Sequence, residues 1–171
     1  MEQNQPEFGL VAENPEKISA ILKISESDIL ADYPVEVVST GLPSLIVPLK
    51  TYDALTRCAV NHELYQKYLD EKGMCNLLAF YPEKESVLRV RTFVDDPGFV
   101  EDAATGSANG NLAGYLLKHN VFSKSKLKYN ALQGYEMNRP SLLQVDAELS
   151  GGKYTIKVGG KVFMIAEGTW F

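Results

Sequence analysis

The spacing of apolar residues predicts alternating helices and strands in the first part of the chain. Asn14 before Pro15 is typical of a helix start, and the apolar residues that follow recur on one helical face. A longer helix is predicted from about Tyr52 to Glu71, ended by Gly73. Segments rich in β-branched and other apolar residues predict strands at 35–39, 45–47, 76–81 and 87–94, and a turn is predicted at 95–98.

The second part of the chain centres on one unusually apolar helix. The segment from Thr105 to Lys118 is apolar on more than one side, which predicts a helix buried in the middle of a domain. Gly151-Gly152 and Gly159-Gly160 predict hairpin turns between strands at 142–149, 154–158 and 162–166. The expected fold is α+β, a single domain over residues 1–171 in which an antiparallel sheet wraps around the central buried helix.

Composition and charge narrow the function classes. The chain has 171 residues, 45% of them hydrophobic and 23% charged, with a net charge of −5, which is ordinary for one globular domain. It has no basic face for nucleic acid and no apolar run long enough for a membrane span. Cys58 and Cys75 lack metal-ligand or redox spacing, so we expect reduced thiols, a cytoplasmic location, and no metal or cofactor.

The segment 100–110 carries the strongest chemical signal. Glu101 and Asp102 stand directly before a cluster of small residues that opens the apolar helix. The free N–H groups and the positive dipole end of such a helix favour an anion, and small side chains let a ligand approach the backbone. The segment therefore has the features of an anion pocket, in which Thr105, Gly106, Ser107 and Ala108 would bind a small carboxylate and Asp102 would move a proton. The alternative is structural: an Asp before a helix is most often only an N-cap, worth about 1 kcal/mol.

These residues also carry a family resemblance. Residues 101–108 resemble the Glu-Asp-Pro-Ala-Thr-Gly-Ser-Ala signature of the phenazine-biosynthesis (PhzF-like) isomerase family, with Ala103 in place of the proline. Three further segments follow the family's order: the strand–turn–strand at 37–49, the Gln-Gly…Arg-Pro-Ser segment at 133–141, and the closing strands at 158–168. Asn138 replaces the family's glycine before Arg139, and Asn tolerates left-handed backbone better than most residues.

The resemblance implies a diaminopimelate-epimerase-like fold and a divided active site. Family members have two similar domains with the site in the cleft between them, and this chain resembles only the second, C-terminal one. The catalytic Glu and Gly-His pair of the first domain have no counterpart here, because His62 and His119 fall elsewhere. In the family the residue matching Asp102 takes part in proton transfer, while Ser107 and nearby N–H groups hold the substrate.

Two matching residues keep open alternatives. Arg139 either pairs with a substrate carboxylate or forms a salt bridge to Glu136 or Glu101. Glu101 matches the signature but is equally explained as a helix-terminus carboxylate.

Two functions from different classes follow. The first is an isomerase of small carboxylated metabolites that uses cofactor-free general acid/base catalysis, with its site completed by another domain or chain. The second is a non-catalytic small-anion-binding or assembly domain. In either case the face that would meet a sister domain is expected to be apolar, which predicts a homodimer or a complex with a separate first-half chain.

Overall fold

A computed structural model of the chain describes residues 1–12, 14–94 and 100–169. The helices in this part are α1 (Pro15–Leu22), α2 (Tyr52–Arg57), α3 (His62–Lys72) and α4 (Gly106–Lys118), with one 3₁₀ turn at Glu26–Asp28. The strands are β1 (Glu7–Val11), β2 (Glu36–Ser39), β3 (Pro43–Pro48), β4 (Asn76–Lys84), β5 (Val87–Phe93), β6 (Glu101–Asp102), β7 (Lys126–Gln133), β8 (Ser141–Ser150) and β9 (Lys153–Gly159).

The strands form one mixed sheet in the order β1-β2-β3-β4-β5-β7-β8-β9, with the short β6 paired to β5. The expectation of an antiparallel sheet is therefore wrong at two places, because β3–β4 and β5–β7 are parallel pairs. Both exceptions have the same cause. The chain passes through α2 and α3 between β3 and β4, and through β6 and α4 between β5 and β7. A crossover through a helix returns the next strand in the same direction.

The sheet curls around α4, which confirms the predicted buried helix. The helix packs against β2, β3, β7, β8 and β9, and every residue from Ala108 to Leu117 is buried. Residues 1–6 connect the two edges of the sheet, because Gln3 N–H donates to the Ile156 carbonyl (2.9 Å) of β9 before the chain enters β1. Gly114 lets this segment approach, since a Cβ there would lie 2.9 Å from the Cβ of Pro6.

The other face of the sheet is covered by α1, α2 and α3. Alternate residues of β4 belong to different cores: Leu78 and Phe80 face α4, whereas Leu77 and Ala79 pack with the outer helices. The strand is thus buried on both faces, as its continuous apolar sequence requires. None of the helices in the described ranges is long and apolar enough to cross a membrane.

The long helix predicted over 52–71 is divided into α2 and α3. Cys58 has extended backbone (φ −53°, ψ 130°), and the break is held by α1, since Ala59 N–H donates to Leu22 (3.0 Å). The side chain of Asn61 then caps α3 by accepting from Leu64 N–H at 3.3 Å. Leu22 lies far from the break along the chain, so the apolar spacing on either side of the break predicts one continuous helix.

The predictions for the chain's turns and last strand have different outcomes. The β8–β9 hairpin is confirmed, with Gly151 and Gly152 at positive φ (56° and 78°). The strand predicted at 162–166 is wrong: residues 160–169 form no strand, and Val162 and Ile165 are 92% and 95% exposed. A strand needs a neighbour, and within the described residues none pairs with this segment. The turn predicted at 95–98 lies outside the described residues.

Candidate functional site

Glu101 anchors the segment that leads into α4. Its carboxylate accepts two hydrogen bonds from Arg91, Nε–Oε1 at 2.9 Å and Nη2–Oε2 at 2.7 Å, and both side chains are largely buried. Burial acts to lower the pKa of Arg91, but the hydrogen bonds and charge of Glu101 leave that pKa raised. The Arg91 guanidinium also donates to the carbonyls that end α2, those of Leu55, Thr56 and Cys58. Glu101 is therefore a structural anchor one residue before Asp102.

Asp102 is half-buried at the end of β6, opposite Thr92 of β5. Its Oδ2 accepts a hydrogen bond from the Thr105 hydroxyl at 2.7 Å, and its Oδ1 lies 3.5 Å from the Ala104 N–H. The carboxylate thus makes an Asx-type turn just before the helix but does not cap it, because Thr105 is the N-cap residue. Among the described residues, one oxygen has a good donor and the other has only a long one, so Asp102 keeps acceptor capacity for a ligand.

Gln133 contacts the candidate site, although the sequence motifs alone do not single it out. It lies at the end of β7, is fully buried, and makes four hydrogen bonds to the Asp102–Asn109 segment. Its Nε2 donates to the Asp102 carbonyl (2.8 Å) and to Thr105 Oγ1 (2.9 Å). Its Oε1 accepts from Thr105 N–H (3.2 Å) and Asn109 Nδ2 (3.0 Å). The only sequence signal was its place at the head of the Gln-Gly segment.

The N-terminus of α4 presents free donors. Thr105 is the N-cap residue, but its side chain makes no capping hydrogen bond because the hydroxyl points to Asp102. Within the described residues, the N–H groups of Gly106, Ser107 and Ala108 have no acceptor, and the Ser107 hydroxyl has no partner. Unpaired N–H groups at the positive end of a 13-residue helix attract an anion. Thr105 differs from its neighbours, since both its N–H and its hydroxyl are engaged within the protein.

A groove of about 560 Å³ runs beside this helix start. Its walls are formed by Ala104 and Gly106 at one side and by the chain segments 140–143, 158–161 and Phe163 at the other. Asp102 and Ser107 adjoin these wall residues in sequence without lining the groove themselves. The cationic residue in the wall is Lys161, which the sequence reading also did not select.

Arg139 is exposed and does not line the groove. Neither of its two expected salt bridges forms, because Glu101 pairs with Arg91 and Glu136 accepts from the Tyr52 hydroxyl at 3.1 Å. Its main chain closes the turn that begins at Gly134, with Arg139 N–H donating to the Gly134 carbonyl at 2.9 Å. A contact between Arg139 and a substrate carboxylate therefore stays a prediction.

That turn packs tightly against the Asp102 segment. Gly134 has φ +79°, and a Cβ there would lie 2.3 Å from the Arg139 carbonyl oxygen and 2.9 Å from that of Ala103. Asn138 has φ 58°, the left-handed conformation expected for the residue that replaces the family's glycine. The Gln133–Arg139 turn and the Ala103 backbone thus fix each other's position.

The cysteines and histidines lie apart from this arrangement. Cys58 and Cys75 are free and buried, and burial raises their pKa values to about 12 and about 11. His62 is exposed at the start of α3. His119 sits at the opposite end of α4, where its Nε2 is 2.6 Å from the buried carboxylate of Glu36. None of the four takes part in the hydrogen bonds around Asp102.

These features define a domain of helices and one curled mixed sheet, with the Asp102 carboxylate close to the free N-terminus of α4. The family model described as phenazine biosynthesis-like protein (PhzC-PhzF) matches residues 1–168. The chain belongs to this family. The resemblance seen at residues 101–108 is confirmed.

Relatives of this chain include several named isomerases. An uncharacterized isomerase of Clostridium acetobutylicum is 30% identical, with 96% of this chain and 57% of the relative covered. The trans-2,3-dihydro-3-hydroxyanthranilate isomerase of Pseudomonas fluorescens is 31% identical, with coverage of 99% and 57%. The chain therefore spans a little over half the length of these relatives.

Solved structures agree on the fold. A PhzF-family phenazine biosynthesis protein of Bacillus anthracis superimposes with a TM-score of 0.83 at 24% identity, covering 94% of this chain and 56% of that one. A protein of Pseudomonas aeruginosa described as a predicted epimerase superimposes with a TM-score of 0.72 at 28% identity. The match covers 96% of this chain and 58% of that one.

Proposed function

We propose that this chain supplies one half of an isomerase site that moves a proton on a small carboxylated metabolite without a metal or organic cofactor. The observation that carries the proposal is the juxtaposition at the start of α4. A half-buried Asp102 carboxylate lies four residues before a row of unpaired N–H groups at the end of an open groove. Isomerase names among the relatives support the reaction class.

In the proposed chemistry, some of these groups bind the substrate and Asp102 exchanges the proton. The N–H groups of Gly106, Ser107 and Ala108, with the Ser107 hydroxyl, bind the substrate carboxylate and hold the adjacent carbon near Asp102. Lys161 supplies positive charge in the groove wall, and Arg139, which precedes the wall residue Pro140, supplies a second cation that can reach a substrate carboxylate. Asp102 exchanges a proton with the substrate carbon, and delivery to a second carbon needs an acid or base on the other side.

The second group is proposed to come from another domain or chain. The wrapped helix corresponds to one domain of the diaminopimelate-epimerase-like fold, and the family's Glu and Gly-His pair would face Asp102 across a cleft. The exposed residues Val162, Phe163, Met164 and Ile165 support such an assembly, because an apolar run of this kind is normally covered. A homodimer would cover it, whereas a first-half domain, on this chain or on another, would also supply the Glu.

Sedimentation of the purified chain tests the assembly. We expect a homodimer at micromolar concentration, or a mixed complex when a first-half chain is added. A stable monomer under both conditions would contradict this part of the proposal.

Deuterium incorporation tests the reaction. The chain is incubated in D₂O with trans-2,3-dihydro-3-hydroxyanthranilate, alone and with a separately expressed first-half domain of the Pseudomonas fluorescens relative. We expect carbon-bound deuterium and isomerised product only in the mixture, and loss of both in Asp102→Asn. Binding of the compound at the α4 start without exchange in the mixture would favour the second candidate, an anion-binding or assembly domain.

The proposal includes a cytoplasmic location. Two free, buried thiols whose pKa values are raised by burial are in keeping with a reducing compartment.

A further inference from the structure

Gln133, Thr105 and Asp102 form a directed chain of hydrogen bonds. Gln133 Nε2 lies 2.9 Å from Thr105 Oγ1, which in turn lies 2.7 Å from Asp102 Oδ2. Gln133 is fully buried, so its amide has no water with which to exchange partners. The direction of this chain can be worked out by counting donors and acceptors.

The orientation of the Gln133 amide is fixed by two main-chain groups. Thr105 N–H can only donate and lies 3.2 Å from Oε1, whereas the Asp102 carbonyl can only accept and lies 2.8 Å from Nε2. Asn109 Nδ2, a further donor, lies 3.0 Å from Oε1. In a flipped amide, Nε2 would face the Thr105 N–H, which is also a donor, and Oε1 would face the Asp102 carbonyl, which is also an acceptor. The side chain therefore has only one orientation that satisfies these hydrogen bonds.

This orientation decides where the Thr105 proton goes. The hydroxyl accepts from Gln133 Nε2, and its single proton is directed to Asp102 Oδ2. Among the residues that the structure describes, Asp102 Oδ1 is left with only the Ala104 N–H at 3.5 Å, the outer limit of a hydrogen bond. The two oxygens of the carboxylate are thus made unequal by a residue that touches neither of them.

We propose that Gln133 is a positioning residue that reserves Asp102 Oδ1 as the proton-exchanging oxygen. The proposal rests on the proposed function, in which Asp102 exchanges a proton with substrate. In that step the substrate C–H bond breaks, its electron pair stays on the substrate, and an O–H bond forms at Oδ1. Oδ2 keeps the Thr105 hydrogen bond throughout, which holds the carboxylate plane still while the proton moves.

The test is an NMR measurement of the Asp102 carboxyl carbon in H₂O and D₂O, where a bound hydroxyl proton produces an isotope shift. We expect the shift in the wild-type chain and in Thr105→Ser, and its loss in Thr105→Val. In Gln133→Glu the Thr105 hydroxyl should turn to the new carboxylate, so the shift is again lost. Gln144→Glu is the matched control, since Gln144 is exposed on β8, and it should keep the shift.

A second measurement needs no variant. Both side-chain amide protons of Gln133 should exchange slowly with solvent, because both are hydrogen-bonded and buried. Fast exchange, an isotope shift that survives in Gln133→Glu, or its absence from the wild type would each overturn the proposal. The proposed function is tested separately. Proton exchange that survives in Asp102→Asn would refute the proposed function, even if the isotope shifts are observed as expected.

Discussion

Arg91 and Glu101 form a two-pronged ion pair, with Nε–Oε1 at 2.9 Å and Nη2–Oε2 at 2.7 Å, one residue before Asp102. The same guanidinium binds the carbonyls at the end of α2, so one side chain ties the outer helical layer to the Asp102 segment. The geometry of the candidate site thus depends on contacts made on the opposite face of the sheet.

Removing this pair should destabilise the protein. Glu101→Gln leaves the buried Arg91 without its counter-charge, and we expect the free energy of unfolding to fall by about 3 kcal/mol, measured by urea denaturation. The matched change Glu148→Gln breaks the exposed pair with Lys126 and should cost about 0.5 kcal/mol or less. Equal losses in the two variants would contradict the anchoring role.

Gly134 should tolerate no side chain. Gly134→Ala places a Cβ 2.3 Å from the Arg139 carbonyl oxygen in a backbone of φ +79°, so we expect a loss of at least about 2 kcal/mol of unfolding free energy. Gly159→Ala, at a position with open space and no positive φ, is the control and should change stability little. A neutral Gly134→Ala would show that the turn does not press on Ala103.

The buried amide of Asn111 should be a second stability determinant. It accepts from Thr40 N–H (2.7 Å) and donates to the Leu42 carbonyl (2.8 Å), which joins α4 to the β2–β3 turn. Asn111→Ala leaves these groups unpaired in the core, and thermal or urea denaturation should reveal a loss of about 2 to 4 kcal/mol. Asn130→Ala, on the outer side of β7, should have a much smaller effect.

The fold was largely predictable where the pattern is local. The apolar sequence of 106–118 dictates burial on all sides, and Gly151-Gly152 dictates a hairpin. The break at Cys58 and the parallel strand pairs were not predictable, because they depend on partners far along the chain, such as Arg91 and the end of α1.

The candidate site shows the same division. The small residues after Asp102 reveal a helix start with free N–H groups, since that chemistry lies within one short segment. Gln133 and Lys161 were missed because a buried hydrogen-bonding partner and a groove wall are defined by three-dimensional proximity alone. The strand predicted at 162–166 does not form, because a segment with strand propensity becomes a strand only when it pairs with a neighbouring strand.

Both thiols should be unreactive in the folded protein. Burial raises the pKa of Cys58 to about 12 and that of Cys75 to about 11, whereas the pKa of a thiol in the unfolded chain is about 8.5. The folded state therefore holds these protons more tightly, and the free energy of unfolding should fall as pH rises above about 8.5. Disulfide-exchange labelling at pH 8 should be slow until urea unfolds the chain; fast labelling of the native protein would contradict this burial.

The central claim is that the start of α4 is the anion-binding half of an isomerase site, and amide NMR of the chain titrated with benzoate tests it most directly. We predict saturable shifts at Gly106, Ser107 and Ala108, weakened in Ser107→Leu, with the amides at the starts of α1 and α3 unmoved. Shifts at those other helix starts with Gly106–Ala108 unmoved would contradict the account.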